Sequence, residues 1–159
     1  MKYVKKIEEY FVGLLILLVS VDLFINIISR EIFKYNFDGT EEFIRYSMIY
    51  ITFIGMAICF RKGLHVGVDL LMTSLKTERK RYLQLLINIL ALIFMIFLVK
   101  YGLDLVMFSY NSGQISPSLE IKTYMIYLAI PVGALLSILH ISINTIMLLK
   151  NKSIDFQEE

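Results

Sequence analysis

Apolar positions along this chain fall into four long runs separated by short polar stretches. They cover residues 10–29, 43–60, 82–110 and 124–149. A helix needs about 20 mostly apolar residues to cross a hydrocarbon core, and each run is long enough. Spanning β-strands would be about ten residues long with alternating polarity, which is not the pattern here. Nor do the runs keep the wet stripe of a soluble bundle. Leu14–Val19 and Ile89–Val99 are apolar around the whole helix circumference, whereas a surface helix needs a polar side. The pattern predicts an all-α integral membrane protein with four transmembrane helices, one membrane domain over 1–159. A shorter stretch lies between spans two and three. Leu64, Val68, Leu71 and Leu75 follow helical spacing there, with His65, Asp69, Thr73 and Lys76 on another side. This predicts a short interfacial helix over 64–75, or a bent extension of span two.

Composition agrees and charge adds orientation. The chain is 57% hydrophobic and 19% charged, too few polar groups to coat a water-soluble globule of this size. Of the Lys and Arg residues, Lys2, Lys5, Lys6, Arg61, Lys62, Lys76, Arg79, Lys80, Arg81, Lys150 and Lys152 flank one set of span ends. Arg30, Lys34, Arg45 and Lys122 flank the other. Basic residues stay on the cytoplasmic side, so both termini are expected inside. The basic N-terminal flank leads into the first run without a small-residue cleavage site and reads as a start-anchor. Lipid is an expected neighbour and nucleic acid is not. The single cysteine, Cys59, leaves no intrachain disulfide or cysteine metal site and reads as a small buried hydrophobe.

Polar groups at membrane depth are costly and mark contacts or function. Asp22 lies roughly 18 Å along the helix from Tyr10, past the midplane, with Asn26 one turn on. Both read as inward-facing polar contacts. Arg30, Glu41, Glu42, Arg45, Lys100 and Asp104 fall at one level, the outer face. There the Glu41–Arg45, Glu42–Arg45 and Lys100–Asp104 spacings allow ordinary helical ion pairs, or the group serves as a docking surface. Asn88, near Gln84, adds a further polar side chain to span three. His65 and His140 could be considered as haem ligands. Yet His140 lies roughly 15 Å deeper than the cytoplasmic surface where His65 sits, so the two cannot share an iron. His140 with Asn144 reads as an interhelical hydrogen-bonding patch, and Pro131 with Gly133 as a bend in span four. No catalytic or phosphate-binding motif occurs. An enzyme, a cofactor site and a metal site are not expected.

One ordered set of residues carries more. Glu41-Glu42-Phe43-Ile44-Arg45-Tyr46 is followed by Phe53-Ile54-Gly55-Met56-Ala57 and then by Arg61-Lys62-Gly63-Leu64-His65-Val66-Gly67-Val68-Asp69-Leu70-Leu71. This resembles the small, DctQ-like membrane subunit of tripartite ATP-independent periplasmic (TRAP) transporters. In that family a Glu-Glu pair opens the second helix, an Arg follows within a turn, and a stretch with Gly, His and Asp closes it. The chain departs at Thr40, where family members often carry Trp.

The resemblance implies a scaffold. A periplasmic binding protein captures an organic acid, of the dicarboxylate or sialic acid class. A large membrane subunit transports it with sodium, and the small subunit anchors the large one. Sodium then binds the large subunit. Glu41, Glu42, Arg45, His65 and Asp69 become candidates for partner contact. Two other readings stand beside it: a self-contained four-helix proton-coupled exporter with Asp22 as the coupling carboxylate, against which the strong Lys/Arg bias counts, and a haem or quinone membrane anchor.

Overall fold

The computed structural model describes residues 2–35, 38–62 and 77–149. Helix α1 (Lys2–Ile28) ends in a π-helical turn at Ser29–Phe33. Helix α2 runs Thr40–Lys62 and α3 Thr77–Asn111. The fourth span is a short α4 (Thr123–Tyr127) followed by α5 (Ala129–Leu149). No strand occurs among the described residues, and four helical segments are long and apolar enough to cross a membrane. The predicted interfacial helix over 64–75 lies outside the described residues.

The helices meet in the order α1, α2, α5, α3, with α4 against α3. They form an open row in which α1 makes no extended contact with α3 or α5. The densest packing joins α5 to its neighbours, around Met95, Ala134 and Ile141 with Met56, Phe60 and Leu98 against them. Small residues set these approaches. A Cβ on Gly133 would lie 2.6 Å from the Phe53 carbonyl oxygen of α2, and one on Gly102 would lie 3.0 Å from Ile130 Cγ2. Such close backbone approach is how helices associate in lipid, where apolar burial supplies no driving force.

The fourth span is interrupted at Leu128, three residues before Pro131. Proline has no N–H to return to the carbonyl four residues back, so regular helix fails there. Cys59 is exposed rather than buried. The packed side of α2 carries Ser47, Ile54 and Ala57, and Cys59 falls off it. In a bilayer that exposure costs a thiol little.

Candidate functional site

Polar side chains gather at the two ends of the row. One end holds the N-terminal part of α1 and the C-terminal parts of α2 and α5. There Arg61 donates to Glu8 Oε2 at 2.9 Å and to the Lys5 carbonyl at 3.2 Å, and it is paired with Glu9 as well. Lys62 Nζ lies 3.5 Å from Glu9. His140 Nε2 approaches the two Glu8 oxygens at 3.0 and 3.3 Å. A hydrogen bond to a carboxylate oxygen of this kind has the proton on Nε2, which then donates. The Glu8 side chain is 4% exposed and those of His140 and Arg61 7% and 9%, so this is an interior knot and not an interfacial pair. Three helices are tied through one carboxylate.

The same end satisfies its helix terminus. The last carbonyls of a helix lack intrahelical partners, and Asn144 Nδ2 donates to the Phe60 carbonyl at 2.8 Å. Asn88 Nδ2 donates to Thr145 Oγ1 at 3.0 Å, and that hydroxyl donates to the Ile141 carbonyl at 2.8 Å. His140 and Asn144 thus each reach another helix and do not bond each other. Glu8 lies in the charged flank before Tyr10, where the apolar pattern does not mark it. The available signal was an acidic pair, Glu8-Glu9, opposite the Arg61-Lys62 end of the next antiparallel span.

At the other end, Glu42 Oε2 accepts from the Ser116 hydroxyl and from the backbone N–H groups of Ser118 and Leu119, the latter two at 3.2 and 3.1 Å. The connection from α3 to α4 is therefore fastened to the first turn of α2. It is a tight loop, closed by Ser116 N–H to the Ile121 carbonyl at 2.9 Å and by Thr123 N–H to the Gln114 carbonyl at 3.0 Å. Leu119 lies over Gly39, whose φ of +100° belongs to the left-handed region that glycine tolerates. Tyr50 adds a hydroxyl bond to the Met125 carbonyl at 2.6 Å.

The expected ion pairs do not form here. Glu42 is turned to the loop, while Glu41 and Arg45 are exposed and no salt bridge joins Arg45 to either glutamate. Lys100 lies over the Tyr101 ring, 5.7 Å from its centroid, and is not paired with Asp104. Asp22 and Asn26 are one turn apart on α1, yet Asp22 Oδ2 and Asn26 Oδ1 are sheltered and have no hydrogen-bond donor among the described residues. His65 and Asp69 lie outside the described residues. No group of three or more His, Cys, Asp or Glu able to hold a metal occurs among the described residues.

Fold and polar groups together define a multi-pass membrane protein whose side-chain chemistry joins helices to one another. The sequence profile of the tripartite ATP-independent periplasmic transporters, DctQ component, matches residues 11–151. The chain belongs to that family, a transporter membrane subunit and not an enzyme. It is 28% identical over 134 residues to the ectoine TRAP transporter small permease protein TeaB of Halomonas elongata, covering 84% of this chain and 69% of that protein. It is 31% identical over 86 residues to the C4-dicarboxylate TRAP transporter small permease protein DctQ of Rhodobacter capsulatus, covering 54% and 38%. It is also 26% identical over 136 residues to the sialic acid TRAP transporter permease protein SiaT of Haemophilus influenzae, covering 86% of this chain but 22% of that longer protein.

Proposed function

We propose that this chain anchors and widens the fixed scaffold of a large TRAP membrane subunit during sodium-driven uptake of an organic acid. A periplasmic binding protein delivers the solute, and sodium binds the large subunit. The observation that carries this reading is the family match over residues 11–151. The tied ends support it, because a scaffold must hold its shape while its neighbour moves. Relatives named for ectoine, a C4-dicarboxylate and sialic acid favour small charged organic solutes. Charge bias favours placing the Arg61 end in the cytoplasm and the Glu42 end outside, in the bacterial inner membrane. Glu41 and Arg45 are then available to an external partner, and Glu42 acts through the loop it fastens.

The test is reconstitution. Proteoliposomes holding this chain and the large subunit should accumulate substrate when the binding protein and a sodium gradient are supplied. This chain alone should accumulate none. Uptake by the chain alone, driven by protons and abolished by Asp22→Asn, would instead establish the exporter.

A further inference from the structure

Asp22 and Asn26 each present a sheltered oxygen for which the described residues supply no donor. Asp22 also lines a cavity of about 520 Å³ between α1 and the start of α2, walled by Leu18, Val21, Ile25, Phe43 and Leu119. Asp38 lines it too, and no Lys or Arg does among the described residues. A second cavity of about 280 Å³ shares Phe43 and Leu119 and continues the seam toward Tyr50. None of the apolar window of the first span is buried, against 44% of that of the fourth. The α1 side of the row is thus both uncovered and short of hydrogen-bond donors.

What fills the seam follows from charge, size and depth. Two carboxylates with no base beside them favour a cation. A carboxylate at membrane depth without a charge partner is costly, and water is scarce there. One long side chain fits within a volume of about 520 Å³. The methylene stem of a Lys or Arg suits apolar walls while its head reaches a polar group at the bottom.

We infer that the α1–α2 cleft is a socket for a Lys or Arg side chain projecting from a helix of the large membrane subunit, received by Asp22. The helix lies across the open face of α1. This inference rests on the scaffold reading above and assigns it a surface and a recognition chemistry.

The experiment co-expresses this chain with the large subunit in a Cys59→Ser background. Val21→Cys should cross-link to a cysteine placed one turn from an intramembrane Lys or Arg of the large subunit. Asp22→Leu should abolish that cross-link and lower recovered complex at least tenfold, while the isolated chain keeps its yield and melting temperature. Asp22→Lys should likewise fail and be rescued when the partner's base is changed to Asp. Full recovery of complex by Asp22→Leu, with no cross-link from Val21→Cys in any pairing, would overturn the socket and leave the scaffold reading standing. So would native mass spectrometry finding phosphatidylethanolamine held by the intact complex and lost on Asp22→Leu with both subunits still joined. Absence of any complex with the unsubstituted chain would remove both readings.

Discussion

At the scale of single residues, the knot around Glu8 sets the largest expected effects. Arg61 answers Glu8 and Glu9 together, so Arg61→Ala leaves the buried Glu8 without its cation and with His140 alone, while Glu9 keeps Lys62. Breaking a buried pair by removing one partner costs about 3–5 kcal/mol, because the remaining charge is uncompensated. Glu8→Gln should cost less, since its amide oxygen still accepts from Arg61 or His140 and no bare charge is left. Thermal unfolding in detergent is expected to rank wild type above Glu8→Gln and Glu8→Gln above Arg61→Ala. Equal melting temperatures for all three would show that the knot adds nothing. This site was only partly legible in the sequence. His140 and Asn144 announced themselves as polar groups in apolar helices, but Glu8 sits among charged flanking residues where a carboxylate draws no notice. Its role appears only when α1 and α2 are laid antiparallel. Glu42 shows the converse. Its neighbour Arg45 at helical spacing suggested a pair, yet a loop more than seventy residues away offers three donors, and three bonds to a charged acceptor outweigh a surface pair worth at most about 1 kcal/mol.

Between elements, closeness of approach decides what substitutions do. Gly133 meets the backbone of α2 at Phe53, and a backbone carbonyl cannot swing aside as a side chain can. Gly133→Ala must therefore push α2 and α5 apart, the kind of overpacking that costs about 1–3 kcal/mol. Gly102 faces the Ile130 methyl and the Pro131 ring at 3.0 and 3.2 Å, where a small shift relieves the contact, so Gly102→Ala should be milder. At Gly13 and Gly55 an added methyl would meet nothing within 4 Å, and alanine there should be neutral or slightly stabilising through helix propensity. Melting temperatures in detergent should follow that order. A Gly133→Ala variant as stable as wild type would mean that the interface yields freely. From the sequence, Pro131 and Gly133 pointed together to a bend. The interruption at Leu128 accords with the proline, but Gly133 serves contact, and no pattern within one helix tells which glycine will face another backbone.

For the whole molecule, the number and rough extent of the spans were legible because lipid demands long apolar runs, and those runs dominate the sequence. The order α1, α2, α5, α3 was not. In water a helix advertises its buried face by amphipathicity, but in a bilayer both faces are apolar and the signal is lost. What the chain does advertise is sidedness. Lys5, Arg61 and Lys62 stand at the same end as His140 and Asn144, while Glu42 and Ser116 stand at the opposite end. If the basic end is cytoplasmic, a cysteine at Asn111, exposed at the end of α3 near the Glu42 loop, should react with an impermeant maleimide added to intact cells. A cysteine at Thr77, the first residue of α3, should react only after the membrane is opened. Cys59→Ser removes the one native thiol. The two positions are 34 residues apart on one helix, roughly 51 Å at the usual rise, so a spanning α3 puts them on opposite sides of a core about 30 Å thick. The pair therefore reports orientation and crossing at once. Labelling of Thr77→Cys in intact cells with Asn111→Cys silent would invert the protein, and equal labelling of both would mean that α3 does not span.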